Sequence, residues 1–182
     1  MARITYPDPS QEFTTLSVQL NLFRMLAHAG TTGKRVLSLG NALLTQLELP
    51  PKLRELAILQ VAHESGTDYE WVQHVALALS AGVTQAHIEA IEQGSVPSSL
   101  FTGQEQQVLL FTKEVYWGRA ISDEDFAGMT RALTSREIVE LLLTVGYYTM
   151  LARFMNVLEI DSDEPAGERL LAQPSSEGLK GR

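Results

Sequence analysis

The apolar residues of this chain recur at helical rather than alternating spacing along most of its length, and the runs open on recognisable caps. The Thr-x-x-Glu pattern of a capping box stands at Thr67 (TDYE), Thr102 (TGQE) and Thr134 (TSRE), and SDED at Ser122 offers one more start. In LPPKLRELAILQVAHESG, Pro50 and Pro51 open a helix where a missing N–H does no harm, and Gly66 closes it. The spacing further predicts helices over about 10–29, 35–47 and 84–93. The first carries Phe13, Leu16, Leu20, Phe23 and Leu26 or Ala27 on one stripe and stops at Gly30. The longest, about 134–158, is apolar nearly all round. A membrane span competes there, but Glu140, Arg153, Asn156 and the cap favour a helix buried in a bundle or an oligomer interface. Strand signals are nearly absent. The expectation is an all-α bundle of about seven or eight helices in one domain, residues 1–160. The tail 161–182, rich in Asp, Glu, Pro, Gly and Ser, is expected to be mobile or to latch onto a neighbour.

Composition removes several functions. A net charge of −8 with no long basic run argues against nucleic-acid binding. The start MARITYPDPSQEFTT lacks a secretory apolar core, so a cytoplasmic, non-membrane protein is expected. The absence of cysteine excludes disulfides and thiolate nucleophiles, and four scattered histidines leave little for a metal site.

Glu70 and His74 stand four apart on a helix and share a face, which makes a carboxylate–imidazole acid/base pair. The short ESGTD connection folds the preceding helix back, so Glu55 can face the same space. Each has a bland alternative: Glu70 as the capping partner of Thr67, His74 as a packed core residue, and Glu55 as a surface charge paired with Lys52 or Arg54. Tyr69 and Trp71 read as packing anchors or pocket walls. His28, His63 and His87 have no partner at telling spacing and are read as structural.

The stretch RELAILQVAHESGTDYEWVQHVALALSAGVTQAHIEAI, residues 54–91, resembles the carboxymuconolactone decarboxylase family of the alkylhydroperoxidase D-like (AhpD-like) superfamily, and the likeness extends over roughly residues 15–160. The resemblance implies an AhpD-like helical domain that assembles, as a homotrimer or homohexamer, with sites near subunit contacts. In the peroxidase branch a glutamate is followed by Cys-x-His-Cys and a histidine. Here the glutamate falls on Glu55, the last histidine on His74, the cysteines on Thr67 and Glu70, and the intervening histidine on Tyr69. Without thiols the peroxidase chemistry does not carry over. The decarboxylase branch implies a cofactor-free lyase acting on a small carboxylated or ketonic ring compound. In that reading His74 is the acid/base, Glu70 tunes it and Glu55 completes a relay. Tyr69, Trp71 and Thr67 contact the substrate, while Arg54, Arg24 and Arg153 bind its carboxylates or, alternatively, form salt bridges. The other readings are a hydrolase or isomerase on the same site, and a non-catalytic oligomer that binds a small ligand.

Overall fold

The computed structural model describes residues 1–8, 13, 16 and 18–171. Among them are eight α-helices and no strand. They are α1 (Asn21–Leu26), α2 (Thr31–Thr45), α3 (Pro51–Ser65), α4 (Asp68–Ser80), α5 (Gln85–Glu92), α6 (Gly103–Tyr116), α7 (Asp123–Ala132) and α8 (Ser135–Leu158), with 3-10 turns at Ala27–Ala29 and Gly167–Leu170.

Helix α3 is the axis of the bundle because it has almost no polar face. Every residue from Leu53 to Ala62 is buried, which a helix can satisfy only with neighbours on all sides. Those neighbours are α8, α6 and α4. Its end follows from Gly66, which takes a left-handed conformation at φ 61° and lets the Thr67 N–H return to the Ala62 carbonyl at 3.1 Å. The chain then reverses into α4, bringing Glu55 and His74 together.

The caps hold at three of the four expected starts. Thr102 and Thr134 form complete capping boxes with Glu105 and Glu137, and the Ser122 side chain accepts from the Asp125 N–H. Thr84 forms another, with His87 in the carboxylate's usual place. At Thr67 the expected box is absent. Its hydroxyl pairs with Ser65 Oγ and donates to Asn156 Oδ1, and α4 begins with no side-chain cap.

The first helix is far shorter than expected. Phe13, Leu16 and Leu20 lie outside any helix, Leu20 being extended, and the other residues between 10 and 17 lie outside the described set. Local bonds compete with the helix: the Leu16 N–H turns back to the Phe13 carbonyl, and the Gln19 amide donates to the carbonyls of Phe13 and Leu16. The start of α1 is fixed instead from the far end of the chain, where Asp163 accepts from the Asn21 N–H at 2.6 Å.

Residues 161–171 latch onto the bundle. The Gln73 amide of α4 donates to the carbonyls of Asp163 and Glu164 and accepts from the Ala166 N–H, while Tyr69 donates to the Asp163 carboxylate. Ala166 and Leu170 are buried with Val18, Leu20 and Leu77. Residues 172–182 lie outside the described set. Helix α8 is long and apolar enough to cross a membrane, yet more than half of that stretch is buried inside the fold. It packs against α3 and leaves Val139, Leu142, Leu143, Met150 and Val157 exposed.

Two glycines test this packing. A Cβ at Gly40 of α2 would clash with the Tyr147 hydroxyl, and that hydroxyl is tied to the Val36 carbonyl at 3.1 Å. A Cβ at Gly146 meets nothing within 4 Å. Gly40→Ala is expected to cost about 1–3 kcal/mol in a urea melt. Gly146→Ala is expected to gain roughly 0.5–1 kcal/mol in the same measurement, since Ala is the better helix former.

Candidate functional site

Adjacent residues of α3 begin the site. Arg54 and Glu55 are both buried, Glu55 completely, and two charges removed from water must satisfy each other. The Arg54 guanidinium places its Nε and one terminal nitrogen on Glu55 Oε1, both at 2.9 Å, and donates its other terminal N–H to the Leu44 carbonyl at 2.8 Å. The remaining oxygen, Oε2, lies 2.9 Å from His74 Nδ1. With the proton on Nδ1 and donated to Glu55, the His74 Nε2 keeps its lone pair. The Tyr148 ring stands edge-on to the imidazole, centroids 4.9 Å apart, and fixes its plane.

Glu70 lies one turn earlier on the same inward face of α4. It is 2% exposed, and neither carboxylate oxygen has a hydrogen-bond partner within the protein. Burial without compensation raises its pKa well above the ordinary carboxylate value. Burial therefore biases Glu70 toward its acid form, whereas Glu55 is held by a guanidinium and an imidazole. The buried Tyr147 and Tyr148 phenols are pushed up by the same desolvation, with Glu70 adding to both.

Glu70 and His74 face a cavity of about 810 Å³, its open mouth included. The walls are apolar, built from Leu22, Phe23, Leu37, Leu44, Leu151 and Met155 with the two tyrosines. Leu170 of the latched tail joins them. Glu55 lies behind His74 and touches the cavity only through it.

The other residues expected at a site fall in different places. Tyr69 lines the cavity, but its hydroxyl is committed to Asp163. Thr67 is buried in the turn before α4, and Trp71 packs partly buried against the core; neither lines the cavity. None of the three arginines lines it either. Arg54 is consumed by Glu55 and the Leu44 carbonyl, Arg24 stacks over the Tyr6 ring at 4.6 Å and donates to Asn21, and Arg153 is exposed on α8. Lys52 pairs with Glu105 and not with Glu55. Among the described residues no group of His, Asp and Glu is arranged to hold a metal ion.

One polar residue at the cavity had no signal in the sequence. Asn41, on α2, lines the cavity, and its buried Oδ1 has no partner within the protein. An asparagine in mid-helix carries no motif. Only the packing of α2 against α8 brings it opposite α4.

Residues 31–114 match the sequence model of the Carboxymuconolactone decarboxylase family. No curated protein matches the chain. Among solved structures, the fold is similar to an uncharacterised peroxidase-related protein from Ralstonia eutropha JMP134, described as an alkylhydroperoxidase AhpD core. The TM-score is 0.74 at 15% identity, covering 93% of this chain and 95% of that one. It is also similar to an Agrobacterium tumefaciens protein of unknown function, described as a candidate AhpD antioxidant defence protein. There the TM-score is 0.67 at 19% identity, covering 75% of this chain and 94% of that one. Identities this low show the AhpD-like fold and nothing about chemistry.

The raised pKa of Glu70 has a consequence for stability. The folded state binds this proton more tightly than the unfolded chain does. Its contribution is therefore full below the ordinary carboxylate pKa and is lost as pH rises toward the folded value. Glu70→Gln removes this dependence. In urea melts from pH 4.5 to 8 the variant is expected to gain steadily on the wild type as pH rises. A difference that stays flat would mean that Glu70 ionises normally in the fold.

Proposed function

We propose that this chain, whose residues 31–114 belong to the carboxymuconolactone decarboxylase family, is a cofactor-independent acid–base enzyme. Its reaction is of the lyase or isomerase type, on a small ring ketone or lactone. The observation that carries this reading is the pairing, on one face of α4, of a buried imidazole anchored by Glu55 with a buried carboxyl that has no partner in the protein. His74 Nε2 takes a proton from the carbon next to the substrate carbonyl. The electron pair of that C–H bond moves into the carbonyl, and the neutral Glu70 carboxyl donates a hydrogen bond to the oxygen as negative charge develops there. Returning the proton to a different carbon isomerises the substrate. In a retro-aldol cleavage His74 Nε2 first takes the proton of the β-hydroxyl, whose oxygen forms the new carbonyl as the carbon–carbon bond breaks; that bond's electron pair moves into the ring carbonyl, and the proton now on Nε2 returns to the α-carbon. Glu55 and Arg54 act through His74: they orient the ring and stabilise its charged form without touching substrate. Water exclusion comes from the apolar walls and the latched tail.

This reading uses no thiol, as the sequence requires. It also separates the roles of two variants. Base-dependent exchange of α-hydrogens for deuterium, followed by NMR on a panel of cyclic ketones and lactones, is expected to fall about 10²-fold or more in His74→Gln. Glu70→Gln, which keeps an N–H donor in the same place, is expected to retain more activity than Glu70→Leu. Exchange as fast in His74→Gln as in the wild type would sink the mechanism.

Self-association belongs to the same reading. Val139, Leu142, Leu143, Met150 and Val157 recur at helical spacing along the outer face of α8, the kind of stripe that a second copy of the chain covers. Leu143→Glu is expected to lower the assembly's mass in sedimentation velocity, from a trimer or hexamer toward the monomer. An unchanged mass would place the contact elsewhere.

A further inference from the structure

Gln73, Tyr69 and Tyr147 line the cavity but bond elsewhere in the chain; the other polar side chains that line it are Ser38, Asn41, His74, Tyr148 and Glu70, whose carboxyl burial pushes toward the neutral form. No Lys or Arg lines it among the described residues. The guanidinium behind His74 is spent: Arg54 has placed its donors on Glu55 and the Leu44 carbonyl, and its charge is matched by the carboxylate it touches. An anion entering this space would lose its hydration and meet no cation, in walls of Leu, Phe, Tyr and Met, next to a carboxyl whose own ionisation is already suppressed there. A neutral ligand loses far less. Two side chains that line the cavity, Glu70 and the half-buried Asn41, also carry buried oxygens that no protein group satisfies. Unsatisfied buried groups of this kind cost free energy unless a bound molecule engages them.

We infer that the cavity selects an uncharged molecule with an apolar body and a carbonyl-type polar group, positioned by Asn41 and Glu70, and that it rejects carboxylates. Asn41 is thereby a binding residue, and the acid–base reading is narrowed to ketones, enones and simple lactones. The inference rests on that reading for the reaction but not for the choice of ligand. Within this cavity a lactone diacid, the kind of substrate for which the family is named, is the wrong charge.

A matched pair of probes tests it. 4-Isopropylcyclohexanone and 4-oxocyclohexanecarboxylate have nearly the same shape and differ in whether the branched group is neutral or anionic. In NMR titrations at pH 7.5, following the His74 imidazole and the Asn41 side-chain amide, the neutral ketone is expected to bind at least 10-fold more tightly. Asn41→Leu is expected to weaken the ketone about 5- to 10-fold, and Asn41→Lys to shift the preference toward the carboxylate. Thermal melts of both variants identify any loss that comes from misfolding. In that event Ser38→Lys, on the same helix, replaces Asn41→Lys as the carrier of the new cation. Carboxylate binding as tight as the ketone's in the wild type would overturn the inference, as would binding of neither probe at millimolar concentration. The two readings fail separately. Ketone binding without His74-dependent exchange refutes the enzyme and keeps the ligand class. Equal His74-dependent exchange in both probes keeps the enzyme and refutes the ligand class.

Discussion

The structure depends on one buried chain of charges, Arg54 to Glu55 to His74. Helix α3 is enclosed on all sides, so an arginine and a glutamate at consecutive positions cannot reach water and must satisfy each other. A buried ion pair is a weak source of net stability, but losing one member strands the other at a cost of about 3–5 kcal/mol. The arrangement is therefore self-enforcing. Arg54 occupies one oxygen of Glu55 twice, and the second oxygen is left for the imidazole across the α3–α4 turn. The same contact that makes the core tolerable sets the tautomer of His74 and points its free nitrogen at the cavity.

The two carboxylates show how far environment alone separates like groups. Both are buried, yet Glu55 has a guanidinium and an imidazole while neither oxygen of Glu70 has a hydrogen-bond partner within the protein. Desolvation unopposed by any partner raises the pKa of Glu70 and favours its acid form. Divergent environments of this sort divide acid from base within one site. Here they place a hydrogen-bond donor and a lone pair one helical turn apart.

Much of this was legible in the residues, and the misses are instructive. The Pro50–Pro51 start, the Gly66 stop and the boxes at Thr102 and Thr134 are local signals, decided within four residues, and they held. Helical periodicity puts Glu70 and His74 on one inward face of α4, but the expected contact between them is absent: His74 pairs with Glu55, and Glu70 bonds to no protein group. The box at Thr67 failed although its local pattern matched its neighbours', since the inward face of α4 takes Glu70 into the core, away from the Thr67 N–H. The first helix failed because spacing by threes also arises from a turn whose carbonyls a side chain satisfies. Arg54 was legible as a cation beside the site, but its direction was not: whether a guanidinium meets substrate or a neighbouring carboxylate depends on the burial of α3. Asn41 was invisible for the same reason, because its significance begins only when α2 meets α4 across the cavity.

Helix α4 also ties the site to the end of the chain. Its residues fall into two i, i+4 sets, Glu70 and His74 on the cavity and Tyr69 and Gln73 bonded to the tail, the two sets rotated about 100° from each other. Through Tyr69 and Gln73 the helix grips residues 163–166. That grip seats Leu170 in the cavity wall, and Asp163, held by Tyr69, also accepts from the first N–H of α1, which carries Leu22 and Phe23 of the same wall. The burial that raises the pKa of Glu70 thus belongs to a cavity whose wall includes a segment of the chain nearly a hundred residues away.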